Sequence, residues 1–127
     1  MVNGSSGGRM NTKIDMNKVK YNKRFNYTKH VFFDENALDC EGTKFQIIKF
    51  KDGVQENQHY HTKTTEIFLT LYGLGIININ GTMNECDAGS IVLCEVGDIH
   101  SFKALGDWTI AVFKTNETKD DIVWMRK

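Results

Sequence analysis

Two histidines separated by a single residue draw attention in this sequence, because imidazole nitrogens are good ligands for divalent transition metals. His59 and His61 flank Tyr60, and Glu66 follows five residues after His61. Alternate side chains of a β-strand point to the same face, so the two imidazoles would lie side by side, with their Cα atoms about 6.6 Å apart. Such a pair could hold one ion at about 2.1 Å from each nitrogen.

A carboxylate and a third imidazole are available to complete this site. The four residues TKTT after His61 suffice for a tight connection, so Glu66 would begin the next strand and supply an oxygen. His100 stands at the start of a later predicted strand, and the site then uses three of the four histidines in the chain. The ligand set predicts one divalent transition metal and leaves its identity open among Fe, Mn, Ni, Zn and Cu.

The elements that must position these residues are predicted to be short β-strands, giving an all-β sandwich or barrel. Runs rich in Ile, Val, Phe and Thr are mostly separated by Gly, Asn or Asp. Asn80-Gly81 predicts a hairpin turn, because both central residues must accept positive φ. Residues 118–127 predict either a short terminal helix or an edge strand. The predicted strands are Lys44–Phe50, Thr65–Gly73, Gly75–Asn80, Ser90–Val96, His100–Leu105 and Trp108–Thr115.

Length and charge limit the classes of protein to consider. The chain has 127 residues, enough for one domain, and its 16 basic and 16 acidic residues balance. The zero net charge removes the whole-protein electrostatic argument for a nucleic-acid partner, and no apolar run reaches the roughly 20 residues of a membrane helix. We therefore expect no nucleic-acid or membrane partner and a cytoplasmic location. The three cysteines lack CxxC spacing and are predicted to be ordinary thiols.

The first part of the chain differs from the rest. Residues 1–30 carry seven Lys or Arg against one Asp, and the opening MVNGSSGGRM resembles an expression leader. We predict a leader and basic arm over residues 1–29 and a barrel domain over residues 30–127. A flexible arm and an added edge strand are both compatible with the composition of the arm.

The spacing of the candidate ligands resembles the two sequence motifs of the cupin superfamily. Gly53, five residues, His-x-His, four residues, Glu66, six residues and Gly73 is similar to the complete first motif. The stretch Gly89–Ala104, with His100 at the expected place, is similar to the second motif, although the proline and the asparagine of that motif are replaced. Those two residues shape turns in the family and do not bind metal. The resemblance covers residues 45–113.

The resemblance implies a fold, a ligand set and an assembly. The fold is a double-stranded β-helix, or jelly-roll, cupin barrel, and short cupins commonly pair as homodimers. The implied metal ligands are His59, His61, Glu66 and His100.

Strand alternation then adds candidate contacts for a small-molecule substrate or ligand. Phe68, Thr70 and Tyr72 would share the face of Glu66, and Phe102 that of His100. Phe68 and Phe102 are equally compatible with a role in the core.

Three neutral imidazoles and one carboxylate would leave an octahedral divalent ion two positions for water or substrate. This arrangement suits a Lewis-acid enzyme of the isomerase, epimerase or lyase type, acting on a sugar or a hydroxy or keto acid. A metal-dependent dioxygenase and a non-catalytic small-ligand-binding module are the alternatives. A metal-free enzyme with a histidine base is disfavoured by Glu66, which favours a bound cation. The sequence leaves open whether the chain is an enzyme.

Overall fold

The computed structural model describes residues 13–125, which form eleven β-strands and one short helix. The elements are β1 (Asn22–Lys23), β2 (Thr28–Phe33), α1 (Glu35–Leu38), β3 (Lys44–Phe50), β4 (Gln55–His61), β5 (Thr65–Tyr72), β6 (Gly75–Ile79), β7 (Thr82–Cys86), β8 (Ile91–Cys94), β9 (His100–Ala104), β10 (Trp108–Thr115) and β11 (Ile122–Trp124).

The strands form two antiparallel sheets that face each other across one core. The six-stranded sheet has the order β1-β2-β3-β10-β5-β8, and the five-stranded sheet has the order β11-β4-β9-β6-β7. Most neighbouring pairs, such as β3 with β10 and β4 with β9, come from distant parts of the chain, as in a jelly roll. The candidate ligands are divided between the two sheets, because β4 and β9 belong to one and β5 to the other.

All six predicted strands occur. Two strands have the predicted ends, and the other four are one or two residues shorter than predicted at one or both ends. The predicted hairpin joins β6 to β7, where Asn80 and Gly81 adopt φ values of 52° and 90°. The end of the chain forms the edge strand β11 rather than a helix, so the second of the two alternatives is correct.

The described part of the N-terminal region includes two strands. The opening MVNGSSGGRM lies outside the described residues. Strands β1 and β2 form one edge of the six-stranded sheet, and β2 pairs with β3 through Val31 and Gln46. The predicted boundary between residues 29 and 30 falls inside β2, which supplies a full strand to the barrel.

A single helical turn, α1, interrupts the strands and was not predicted. The side chain of Asp34 caps it by accepting hydrogen bonds from the backbone N–H groups of Asn36 and Ala37. Asp39 ends it with a left-handed φ of 52°. Within residues 13–125 no helix is long and apolar enough to cross a membrane.

The core contains stacked aromatic rings that join the two sheets. Trp108 is fully buried, and its ring lies 5.3 Å from that of Phe50, centroid to centroid. Phe102, from the five-stranded sheet, stacks on Phe50 at 5.7 Å. A Cβ at Gly75 would collide with the indole ring of Trp108, so only glycine allows this close approach of the sheets.

Candidate metal centre

The structure brings the four predicted metal ligands together inside the barrel. His59 and His100 lie directly opposite each other on the paired strands β4 and β9, with ring centroids 4.1 Å apart. His61 lies two residues further along β4, and Glu66 enters from β5 of the facing sheet. The four residues are between 1% and 5% exposed, which is unusual for such polar side chains.

Each imidazole is oriented by an oxygen that accepts from its Nδ1. The partners are the backbone oxygen of Asn57 for His59 at 3.2 Å, a carboxylate oxygen of Asp121 for His61 at 3.1 Å, and the backbone oxygen of Asp98 for His100 at 3.0 Å. Because these oxygens can only accept, Nδ1 carries the proton in the neutral rings. The Nε2 lone pairs are then free for a cation, as in known metal sites.

The donor atoms fit one ion. The Oε1 atom of Glu66 lies 3.0 Å from Nε2 of His61 and 3.4 Å from Nε2 of His100. Adjacent ligands at about 2.1 Å from an octahedral ion are separated by about 3 Å, so these spacings suit shared coordination. Oε1 of Glu66 and Nε2 of His100 are buried without a hydrogen-bond partner among residues 13–125. The ligand atoms of the three histidines lie within 4.8 Å of one another.

The protonation equilibria of the centre differ among its residues. Burial, followed by the nearby His100, lowers the pKa of His59 to about 4 and keeps this ring neutral. Burial opposes the charge on His61, but the neighbouring carboxylates of Glu66 and Asp121 outweigh it and raise the pKa of His61, so a metal ion would compete with a proton at this ring. Burial likewise opposes the charge on Glu66, yet His100, His61 and Lys114 hold its pKa well below the usual range. Glu66 is therefore a permanent anion at the centre.

Asp121 supports the centre from outside, and the sequence contained no sign of this role. Its Oδ1 atom accepts from Nδ1 of His61, and its Oδ2 atom accepts from the backbone N–H groups of Thr64 and Lys63 at 2.9 and 3.3 Å. The hydroxyl of Thr64 donates to the same oxygen. Burial opposes the charge, but these contacts lower the pKa of Asp121. Sixty residues separate it from His61, so only the pairing of β11 with β4 brings them together.

Cys94 is a second residue at the centre that the sequence did not single out. Its Sγ atom lies 3.2 Å from Nδ1 of His100, and the residue pairs with Glu66 across β5 and β8. Cys94, Glu66 and His100 offer ligand atoms within 4.8 Å of one another. Burial raises the pKa of Cys94 to about 12, so the group is a neutral thiol. The three cysteines are free, as their prediction as ordinary thiols requires.

Lys114 balances the charge of Glu66. The two residues lie opposite each other on β10 and β5, and Nζ of Lys114 lies 3.7 Å from Oε2 of Glu66. The same ammonium group donates to Glu117 at 3.1 Å, and Lys44 contacts Glu117 at 2.8 Å. Burial opposes the charge on Lys114, but Glu66 and Glu117 outweigh it and raise the pKa of Lys114. A positively charged group therefore lies beside the centre.

Trp124 lies beside His59 at the edge of the site. The two rings are tilted by 39° with a centroid distance of 4.5 Å, and Trp124 is 53% exposed. A cleft of about 410 Å³ runs along this side and is lined by Tyr27, Glu56 and Trp124, among others. Burial raises the pKa of Glu56 to about 7. An indole ring that contacts His59 and a carboxyl group with a raised pKa therefore line this cleft.

Three of the four predicted substrate contacts face the interior, as strand alternation requires. Phe68 and Phe102 are buried, and their rings lie 6.0 and 5.8 Å from the ring of His100. Thr70 is also buried, and its hydroxyl accepts a hydrogen bond from Nε1 of Trp108 at 3.2 Å. The two phenylalanine rings pack beside His100 at the centre, whereas Thr70 forms a hydrogen bond to Trp108 in the core.

The expectation that Tyr72 points inwards is wrong. Tyr72 is 49% exposed and lines a separate cavity of about 730 Å³ beside Lys49 and Asp107. The pairing of β5 with β10 shifts between Thr109 and Ile110, so one extra residue is inserted before Tyr72. Such a bulge breaks the alternation of faces, which a sequence pattern cannot reveal.

Comparison with known proteins shows a similarity of fold. No protein-family profile and no curated protein matches the chain. Many solved structures do, at low identity. KdgF from Halomonas sp. has a TM-score of 0.75 and 12% identity, over 87% of this chain and 98% of that one. A predicted oxalate decarboxylase from Thermotoga maritima has a TM-score of 0.75 and 17% identity, over 84% and 100%.

A third match is named for its fold. The cupin domain of Cnp3 from Schizosaccharomyces pombe has a TM-score of 0.74 and 12% identity, over 84% of this chain and 74% of that one. The chain therefore has the cupin fold, a double-stranded β-helix, and the prediction of fold class is confirmed. Cupin folds carry many unrelated activities, so function must be argued from the site.

Proposed function

We propose that this protein is a metal-dependent enzyme that binds one divalent transition metal through His59, His61, Glu66 and His100. The proposed reaction is an isomerisation, epimerisation or elimination of a small oxygenated metabolite, a sugar or a hydroxy or keto acid. One observation carries the proposal: the Oε1 atom of Glu66 and the Nε2 atom of His100 face each other, buried and without hydrogen bonds within residues 13–125. Such orphan atoms are costly unless a ligand satisfies them.

When bound, the ion would supply Lewis-acid chemistry to an oxygen of the substrate. The chain itself would orient the ligands through Asp121 and the two backbone oxygens that hold the imidazoles. Phe68 and Phe102 would exclude water from the inner side of the centre, since both rings lie against His100. None of these residues is assigned a role in proton transfer, so the proposed reaction requires another group for that step.

Glu56 is suited to proton transfer. It lies opposite Phe102 across β4 and β9, and directly paired residues share a face, so its side chain points inwards. His59 and His100 form the next pair that these strands make. The pKa of about 7, caused by burial, lets the carboxyl group both give and accept a proton near neutral pH. We assign Glu56 the role of general acid or base in the proposed reaction.

Among the proposed substrates we favour acids over neutral sugars, because a divalent ion held by one carboxylate and three neutral imidazoles would keep a positive charge, and ammonium groups lie nearby. Lys114 lies next to Glu66, and Lys44 lies next to Lys114 through Glu117. Two structural neighbours were solved with carboxylic acids: an oxalate oxidase with glycolate and a salicylate 1,2-dioxygenase with gentisate. A hydroxy or keto acid is therefore the first substrate class to test.

A metal-dependent dioxygenase is the second candidate, supported by the similarity of fold to the salicylate 1,2-dioxygenase from Pseudoaminobacter salicylatoxidans. That match has a TM-score of 0.61 and 12% identity, over 71% of this chain and 25% of that one. Consumption of O₂ by the Fe(II)-loaded protein in the presence of an acid substrate would favour this candidate. A protein that binds acids without converting them would be the non-catalytic module.

We also propose that the protein forms a homodimer. Ile91 and Leu93 project from the edge strand β8, 69% and 52% exposed, beside Ile67 on β5 at 39%. Pairing of two copies would remove this apolar surface from water. Light scattering coupled to size exclusion gives the mass directly, and a monomer at micromolar concentration would refute the proposal.

The metal content of the protein tests the main proposal. The chain should be purified without metal-affinity resin or chelator and analysed for ions per chain. We expect close to one Fe, Mn, Ni, Zn or Cu per chain, followed by turnover of at least one hydroxy or keto acid. A protein that holds no metal and takes up none of these ions would overturn the proposal.

A further inference from the structure

A lysine of the edge strand β2 points into the barrel. His30 and Phe32 pack against Tyr21 on the outer side of the sheet, with centroid distances of 5.9 and 6.3 Å to the tyrosine ring. Alternation places Lys29 on the opposite, inner face, where it pairs with Ile48. Ile48 packs against the hydrophobic core, which confirms this direction.

Lys29 is half-buried but has no anionic partner. Within residues 13–125 its ammonium group makes no hydrogen bond or ion pair, whereas Lys44 and Lys114 both contact Glu117. Burial, together with the charges of Lys114, Arg24 and Lys44, lowers the pKa of Lys29 to about 8 against a smaller effect of Glu117. A cation that is partly removed from water and surrounded by like charges is costly unless an anion joins it.

Gln46 is a second unsatisfied group on the same face. It is 2% exposed, and its Oε1 atom is buried without a hydrogen-bond partner among the described residues. Gln46 pairs with Val31 on one side and with Val112 on the other. Lys29 is two residues before Val31 and Lys114 two residues after Val112, so Gln46 is the diagonal neighbour of both lysines.

These positions form a line across the inner face of the six-stranded sheet. Diagonal neighbours on adjacent strands lie about 7–8 Å apart at Cα, within reach of long side chains. The line runs from Lys29 through Gln46 to Lys114, and Lys114 lies opposite Glu66 at the metal centre. It therefore leads from the edge strand towards the predicted ion.

We propose that Lys29, Gln46 and Lys114 form a subsite for the carboxylate of a hydroxy acid. The ammonium group of Lys29 would bind a carboxylate oxygen, and Lys114 would add a second positive charge beside it. Oε1 of Gln46 would accept a hydrogen bond from a hydroxyl group of the ligand, which satisfies the orphan oxygen. This inference rests on the proposed function in one respect: the acid bound at the subsite is taken to be the ligand that also reaches the metal.

The test uses the full chain after removal of metal with a chelator, so that binding to an ion cannot contribute. Glycolate, the smallest hydroxy acid, is titrated and followed by two-dimensional NMR, with neutral glycolamide as the matched probe. We expect glycolate to bind, glycolamide to bind far more weakly, and Lys29→Met to weaken glycolate binding at least about tenfold. Gln46→Met should also weaken it. Lys103→Met is the control, because Lys103 is exposed on β9 and its loss changes the net charge equally.

Thermal stability supplies a second readout. Without ligand, Lys29→Met should raise the melting temperature, since it removes an unpaired, half-buried charge, and Lys103→Met should leave it unchanged. Glycolate should raise the melting temperature of wild type but not of Lys29→Met. Equal glycolate affinity of wild type and Lys29→Met, or no preference of wild type for glycolate over glycolamide, would overturn the subsite.

The two proposals can fail separately. A chain that takes up metal but binds glycolate independently of Lys29 would refute the subsite alone. A chain that takes up no metal but binds glycolate through Lys29 would refute the metal enzyme and support the subsite as a site of its own.

Discussion

The two sheets of this barrel supply different chemistry to one interior. The five-stranded sheet contributes three imidazoles from the adjacent strands β4 and β9, and oxygens of Asn57, Asp98 and Asp121 orient them by accepting from their Nδ1 atoms. The six-stranded sheet contributes charged and amide groups instead: Lys29, Gln46, Glu66 and Lys114. The first sheet positions the imidazole ligands, and the second supplies the anionic ligand and the ammonium groups around it.

The difference explains how a buried polar interior is tolerated. Each buried imidazole has its Nδ1 hydrogen-bonded, and Asp121 supplies a counter-charge to His61, whose pKa is raised. Charged side chains need partners, and Glu66 and Lys114 have each other, with Glu117 beside them. Lys29 and Gln46 lack such partners within the described chain, and this is the basis on which we propose that they bind a ligand.

Loss of an imidazole ligand should have the largest effect. We expect His100→Ala to lower the metal content from close to one ion per chain to near zero, because its Nε2 is one of the orphan atoms at the centre. His30→Ala is the control, since His30 packs on the outer face against Phe32. Elemental analysis gives the metal content, and circular dichroism checks that the barrel is folded. Equal metal content in the two variants would disprove the ligand assignment.

Loss of the support behind a ligand should have a smaller effect. Asp121→Asn keeps the size of the side chain but removes the charge that orients His61, so metal affinity should fall about 10- to 100-fold. Competition with a chelating dye measures the affinity. The neighbouring Asp120, with a φ of 64°, accepts the matched change Asp120→Asn without strain and should bind metal like wild type. Similar affinities in both variants would contradict the role of Asp121.

A change in the contact between the sheets should affect stability and leave the metal centre intact. Gly75→Ala places a Cβ against the indole ring of Trp108 and should cost about 1–3 kcal/mol of unfolding free energy. The double variant with Trp108→Phe, which removes the second ring, should recover part of the loss relative to Trp108→Phe alone. Urea unfolding measures both, and metal content should remain that of wild type. A loss of metal here would mean that the two regions are not independent.

The pH dependence of stability should give the smallest effect. The pKa of Lys29 is about 8 in the folded chain against an ordinary value of 10.5, because of burial and the charges of Lys114, Arg24 and Lys44, with Glu117 opposing them. Between these pH values the unfolded chain holds the proton that the folded chain has lost. The stability of wild type relative to Lys29→Met should therefore rise as pH increases from about 8 to about 10.5 and stay constant below. Unfolding titrations across this range measure the difference, and a flat difference would contradict the burial of this charge.

Much of the metal centre could be predicted because its residues are local in sequence. His59 and His61 share a face by strand alternation, and Glu66 follows after one short turn. Only His100 comes from a distant segment, and the spacing within its own motif indicated it. The fold class followed in the same way from short apolar runs and the Asn80-Gly81 turn.

The rest could not be predicted because it depends on pairing and register. Asp121 reaches His61 only after β11 pairs with β4, and Lys114 meets Glu66 only after β10 pairs with β5. Tyr72 was placed on the wrong face because one bulge in β5 reverses the alternation. None of these contacts can be predicted from the composition of a short stretch of sequence.

The sequence by itself determined the class of fold, the four candidate ligands and the turns between strands, since alternation, hairpin chemistry and motif spacing act over a few residues. The tertiary structure decided which distant groups support or neutralise those ligands, and which polar side chains are left without partners. The physical reason is that burial and electrostatics depend on neighbours in space, and strand register alone brings residues 29, 46, 66 and 114 onto one face.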